Sequence, residues 1–214
     1  MMLIKRLIKN LIPPTLLFKY QTNKSRKINY NNWVNAGKPI PAPDNVKYTI
    51  LDKYRRKYNA TILIETGTYL GGMIRTHANN FKEIHTVELM EKYYLAAKED
   101  FKNKNNITCH FGESVNMLKK IVPTLKEKTI YWLDAHYSVD VFARGESDCP
   151  ALQELDIIFI NKANPIILID DARDFTGIGD YPTVNTVVQF IQSKRPHYLV
   201  EVIDDMIVAI PDEN

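Results

Sequence analysis

Two apolar runs, TIYWL (129–133) and IILI (166–169), each end in polar groups: Asp134 and His136 follow the first, Asp170 and Asp171 the second. Packing does not explain four such residues behind buried strands. An unpaired carboxylate taken out of water is costly, so these acids must be solvated, paired or metal-bound. Three carboxylates with spare water positions suit Mg²⁺, which would make Asp134, Asp170 and Asp171 its ligands and let the ion acidify a hydroxyl. Alternatively His136, two residues beyond Asp134, could take the hydroxyl proton as a general base, a device worth roughly 10²–10⁴ in rate. A third reading is structural: Asp170 caps a turn and His136 is hydrogen-bonded. The spacing leaves all three open.

A second group of residues lies upstream. In ILIETGTYLGGM (62–73) an apolar run ends in Glu65, and Gly67, Gly71 and Gly72 follow. Glycines after a strand let a backbone approach a ligand, and the next helix presents its N-terminus there. The G-x-G-x-x-G dinucleotide pattern is not met, and no G-K-[ST] phosphate loop is present. A carboxylate at Glu65 would repel phosphate oxygens and favour a ligand bringing an ammonium or sulfonium. Glu88 ends the next apolar run, 21 residues after Gly67, where an acid can accept both hydroxyls of a ribose. Glu113, in Phe111-Gly112-Glu113-Ser114, stands where an adenine amino group would lie. Cation, ribose and adenine together describe S-adenosylmethionine. Taken singly, Gly67 and Gly71 are also ordinary turn glycines, Glu88 a solvated strand end and Glu113 a helix cap.

These residues need strand ends to hold them, and the chain supplies an alternation. Helices are expected at 46–58, 72–80, 91–102, 114–121, 150–160 and 183–193. Strands are expected at 61–65, 84–88, 107–111, 129–133, 166–169, 198–203 and 206–210. Strand–helix alternation implies an α/β, doubly wound parallel sheet with helices on both faces. The last two strands, joined by Asp204-Asp205 alone, must be antiparallel neighbours, so the seventh strand is reversed.

The chain has 214 residues and a net charge of +3. Residues 1–43 carry eight bases and no acid, leaving 20 bases against 25 acids in the remainder, a net of −5. We therefore expect a basic arm and connector over 1–45 and one acidic domain over 46–214. A nucleic-acid binder more often spreads its bases over the fold, so no nucleic-acid partner is expected. In the arm, Leu3, Ile4, Leu7, Ile8, Leu11 and Ile12 recur at helical spacing until Pro13-Pro14. Such a helix either rests on an anionic membrane through residues 1–20 or packs on its own domain or a sister subunit, as in a homodimer. No stretch is long and apolar enough for a span. Cys109 and Cys149 read as free buried thiols, which fits a cytoplasmic protein, at the inner membrane surface if the arm binds lipid.

Over residues 46–210 the sequence resembles the class I S-adenosylmethionine-dependent methyltransferases. The likeness is carried by Glu65-Thr66-Gly67-Thr68-Tyr69-Leu70-Gly71, by Glu88, by Gly112-Glu113-Ser114 and by the reversed last strand. It implies a seven-stranded Rossmann-like sheet, with Glu65, Gly67, Thr68, Gly71, Glu88, Glu113, Ser114 and Asp134 around the cofactor. The first loop has Gly67-Thr68-Tyr69 where the family usually has G-x-G, a variation that small-molecule O-methyltransferases tolerate. The cation-dependent members place an acid after the fourth strand and an acid pair after the fifth, matched here by Asp134, Asp170 and Asp171. WLDAH (132–136), D-x-P-x-L-x-E-L (148–155) and LIDDARDF (168–175) also resemble bacterial methyltransferases of surface-glycan synthesis. Val139 and Asp140 stand where those relatives have glycines. The resemblance implies O-methylation of a sugar or other small hydroxylated acceptor, with catalysis by His136 and Asp134. Residues 139–148 are a candidate lid, and Arg173 either binds an acidic group of the acceptor or pairs with Asp170. Two rivals are a nucleic-acid methyltransferase and a non-catalytic module that binds a partner or a membrane. Against the first, Leu133-Asp134-Ala135-His136 replaces the Asn/Asp-Pro-Pro-aromatic run that grips a planar amine.

Overall fold

Strand β1 (Ile62–Thr66) is buried at all five positions, as a central parallel strand covered on both faces must be. In the computed structural model, which describes residues 13–14, 16, 30–136 and 147–212, it lies in the middle of a seven-stranded sheet of order β3-β2-β1-β4-β5-β7-β6. The other strands are β2 (Glu83–Glu88), β3 (Ile107–Phe111), β4 (Thr129–Leu133), β5 (Ile166–Ile169), β6 (Tyr198–Ile203) and β7 (Met206–Pro211). Strands β1 to β5 are parallel. Strand β7 runs antiparallel between β5 and β6, as the short Asp204-Asp205 link requires. Both linking residues have positive φ, +52° and +67°, the signature of a turn whose twist matches its strands.

Alternate side chains of each strand feed two cores. Ile62, Ile64, Ile167 and Ile169 pack on one face against α5 (Ser114–Ile121), α6 (Ala151–Ile158) and α7 (Val184–Lys194). Leu63, Ile130, Trp132 and Leu168 pack on the other against α1 (Tyr30–Asn35), α2 (Asp44–Tyr58), α3 (Gly72–His77) and the end of α4 (Glu91–Asp100). Helix α2 buries Val46, Ile50, Leu51, Tyr54 and Tyr58 along one stripe. Asp44 in its first turn and Arg55, Arg56 and Lys57 in its last complement the helix dipole.

Several boundaries differ from expectation. Helix α3 ends at His77 rather than Asn80, and α6 spans 151–158 rather than 150–160. The stretch read as a connector contains α1, whose Trp33 is 1% exposed and donates its indole N–H to the Pro39 carbonyl at 2.9 Å. Trp33 and Ala42 belong to the same core as Val46, so residues 30–45 pack as part of the sheet's cover. The amphipathic stripe of 3–12 and residues 139–146 of the candidate lid lie outside the described residues. Among the described residues, no helix is long and apolar enough to cross a membrane.

Candidate functional site

The strand order reverses direction between β1 and β4, which places the ligand crevice of an open α/β sheet at their carboxyl ends. Gly67 leaves β1 with φ +87°. A Cβ on it would meet the Asp134 carbonyl carbon at 2.7 Å, so only glycine lets the loops after β1 and β4 come this close. Gly71, at φ +68°, caps α3.

Glu65 is 2% exposed. Thr86 of β2 donates to its Oε2 at 2.5 Å, and the Thr68 hydroxyl is 2.5 Å from that of Thr86. This buried chain joins three of the elements around the crevice. Burial drives the Glu65 carboxyl well above its ordinary pKa, against the pull of Thr86, and Asp134 and Glu88 add to the rise. Glu88 receives the backbone N–H groups of Tyr69 and Met90, each at 2.7 Å. Its carboxylate thereby fixes both loops flanking the crevice. Tyr69, at φ +47°, packs edge-on against Tyr93 with ring centroids 4.9 Å apart.

Glu113 and Ser114 meet the expectation unequally. Glu113 holds the N-cap position of α5 without a side-chain capping bond, and its Oε2 accepts from the Asn116 amide at 3.1 Å. The Ser114 hydroxyl is buried and bonds the carboxyl of Glu154. Its side chain turns into the protein, because Glu154 of α6 is itself only 1% exposed and needs a partner there.

At the ends of β4 and β5 the four polar residues do converge, with two additions. His136 Nε2 lies 3.3 Å from Asp171 Oδ2 and 3.7 Å from Asp134 Oδ1. Burial works against the imidazolium, but Asp171, Asp134 and Asp170 outweigh it and lift His136 to about 9. The first addition is Lys47 of α2, whose Nζ is 2.5 Å from Asp170 Oδ2 and 3.1 Å from Asp171 Oδ1. Burial penalises the ammonium, yet the three aspartates together raise it above its ordinary value. Asp170 is raised too, first by burial and then by Asp134, with Lys47 opposing.

Arg173 is the second addition. It pairs with Asp171 at 2.8 Å and with Asp205, not with Asp170. Asp171 sits at φ +54°, a backbone state uncommon for a non-glycine residue. That turn aims its carboxylate at His136, Lys47 and Arg173, which hold it well below the usual carboxylate range in spite of burial.

Of the three acids expected to hold Mg²⁺, Asp134 and Asp171 come together and Asp170 stands apart. The donors that lie within 4.8 Å of one another belong to Asp134, His136 and Asp171, while Asp170 turns to Lys47. A nitrogen and two oxygens do not form the oxygen set that Mg²⁺ prefers. Lys47 was missed because its signal is weak: one base on the stripe side of an amphipathic helix, next to buried Val46.

A cavity of about 740 Å³ opens at this end of the sheet, within the size range of small-molecule sites. Glu65, Gly67, Thr68, Trp132, Asp134 and Asp170 line it from the strand ends, and Lys47 and Tyr48 line it from α2. Glu88, Glu113 and Ser114 do not line it.

No family model and no curated relative matches the sequence. Solved structures do match in shape. An O-methyltransferase from Bacillus cereus in complex with SAH (S-adenosylhomocysteine) superposes with TM-score 0.58 at 15% identity, covering 90% of each chain. The SAH-bound methyltransferase PaMTH1 of Podospora anserina gives 0.55 at 18% identity, over 95% of this chain and 89% of that one. The O-methyltransferase TomG of Streptomyces achromogenes, in complex with SAM, gives 0.53 at 13% identity over 81% of each. The fold is that of the class I methyltransferases. The reversed β7 lies beside β5, and Asp205, in the link that leads into it, anchors Arg173.

Proposed function

We propose that this chain is an S-adenosylmethionine-dependent O-methyltransferase acting on a small hydroxylated acceptor, a sugar among the candidates. The observation that carries the reading is the crevice between β1 and β4. One cavity is lined by a buried acid, Glu65, and by Asp134, and behind Asp134 lies the His136–Asp171 pair. When bound, S-adenosylmethionine supplies a methyl group already activated on a sulfonium. Glu65 and the Gly67 loop hold its charged end, and the ribose hydroxyls are assigned to Glu88, which braces the Tyr69 and Met90 backbone beside the cavity. Asp171 keeps the Nε2 proton of His136, which leaves Nδ1 as the accepting nitrogen. His136 then takes the acceptor's hydroxyl proton as the oxygen–carbon bond forms and the sulfur–carbon bond breaks, with the electron pair remaining on sulfur. At its raised pKa the imidazole is charged at rest, so it must first release a proton. A cationic ligand in the same crevice favours that release.

Support for the surface-glycan role comes only from the WLDAH, D-x-P-x-L-x-E-L and LIDDARDF patterns, and a membrane role for residues 1–20 only from their basic stripe. A thermal-shift titration with S-adenosylhomocysteine tests the core of the reading. Saturation at 100 times the dissociation constant adds about 2.7 kcal/mol, a rise of roughly 5–10 °C for a chain this size. No rise with either the cofactor or its demethylated product would leave a non-catalytic module as the better account.

A further inference from the structure

We infer that Lys47 is the resident cation of this site, a positioning residue that occupies the locus where Asp170 and Asp171 would otherwise help hold a divalent metal. The oxygens are already committed. Lys47 takes Asp170 Oδ2, and the Asp171 backbone N–H takes Asp170 Oδ1 at 2.8 Å. Lys47 and Arg173 share Asp171 Oδ1, at 3.1 and 2.8 Å, and His136 faces Asp171 Oδ2. An octahedral ion needs open lone pairs in one direction, and this pair of aspartates has given its oxygens to nitrogen donors.

Charge leads to the same conclusion. Asp134, Asp170, Asp171 and Asp205 face Lys47, Arg173 and His136. A dication placed among them would meet three basic groups at close range, where like charges repel strongly. Lys47 is itself held in place: its side chain is 11% exposed and pairs with both acids. It thus holds Asp170, on the cavity lining, and Asp171 behind it in the arrangement that aims Asp171 at His136. A methyl transfer here would run without a divalent metal, a consequence that rests on the proposed function; the metal-binding claim does not.

The test is a Mn²⁺ titration of the metal-stripped full chain, read by electron paramagnetic resonance. The wild type is expected to leave Mn²⁺ free. Lys47→Met is expected to bind it at least about tenfold more tightly than the wild type, and adding Asp170→Asn to that variant is expected to abolish the gain. Lys47→Arg, which keeps a cation, should resemble the wild type. Stoichiometric Mn²⁺ binding by the wild type overturns the inference, as does a folded Lys47→Met with no gain. If Lys47→Met does not fold, the wild-type titration decides alone. Methylation, once an acceptor is known, should survive exhaustive chelation. Failure of adenosylhomocysteine to bind would sink the proposed function and leave the Mn²⁺ result standing.

Discussion

Gly67 and Asp134 touch backbone to backbone: a single Cβ on the glycine would lie 2.7 Å from the Asp134 carbonyl carbon. The loops after β1 and β4 are pressed together at the switch point of the sheet. The cofactor side of the crevice and its reacting side therefore share one wall.

Gly67→Ala should damage both sides at once. The substitution strains a backbone at φ +87°, by about 1–2 kcal/mol, and the overlap with Asp134 adds about 1–3 kcal/mol. A melting temperature lower by roughly 5–15 °C is expected, together with weaker adenosylhomocysteine binding. A variant that melts and binds as the wild type does would mean the two loops are not in contact.

Glu88 braces two loops, and the ribose role proposed for it can be tested separately. Its carboxylate receives the Tyr69 and Met90 N–H groups, and its remaining lone pairs are free to take ribose hydroxyls. Glu88→Gln should cost about 1–3 kcal/mol of stability, since one buried donor loses its acceptor. Adenosylhomocysteine binding should weaken about 10–100-fold. The ribose role is read from a 2′,3′-dideoxy analogue, which the wild type should bind worse than the parent and the variant should not distinguish. Equal discrimination by both proteins would reduce Glu88 to a loop brace.

The strands, their alternation and the reversed β7 were legible because short apolar runs and the Asp204-Asp205 link are local signals. So was the gathering of Asp134, His136 and Asp171, since parallel strands bring their carboxyl ends to one edge. Lys47 was not legible: it reaches Asp170 across 123 positions of sequence, and nothing near it in the chain marks it. The direction in which Ser114 turns was not legible for a related reason. Its partner, Glu154, sits on a helix 40 residues away, and sequence spacing does not say which way a hydroxyl turns. Helix α1 was hidden by the prolines after it, although Trp33 was there to anchor it.

Binding of the cofactor should release a proton. In the free protein burial raises the Glu65 pKa well above the ordinary carboxyl value, which favours its protonated form. A ligand ammonium beside it favours the carboxylate, so the bound state carries less proton at this group. Affinity should therefore tighten as pH rises toward the free-state pKa. Calorimetry in buffers of different ionisation enthalpy should show release of up to about one proton, lost in Glu65→Gln. Binding heats independent of buffer, or identical release in the variant, would remove Glu65 from the cofactor site.

His136 should show itself in rate and stability with opposite signs over the same pH range. Its pKa is lifted to about 9 from an ordinary value near 6.5. The imidazolium therefore adds stability that is fully present below about pH 6.5 and is lost as pH rises through about 9. The loss amounts to up to about 3 kcal/mol, visible as a falling melting temperature. A general base must be neutral, so the rate of methyl transfer should climb over that interval as the protein becomes less stable. His136→Gln should flatten both profiles and lower the rate by roughly 10²–10⁴. A rate already at its plateau at pH 6, with the stability slope intact, would leave His136 as a structural partner of Asp171 and assign proton removal to another group.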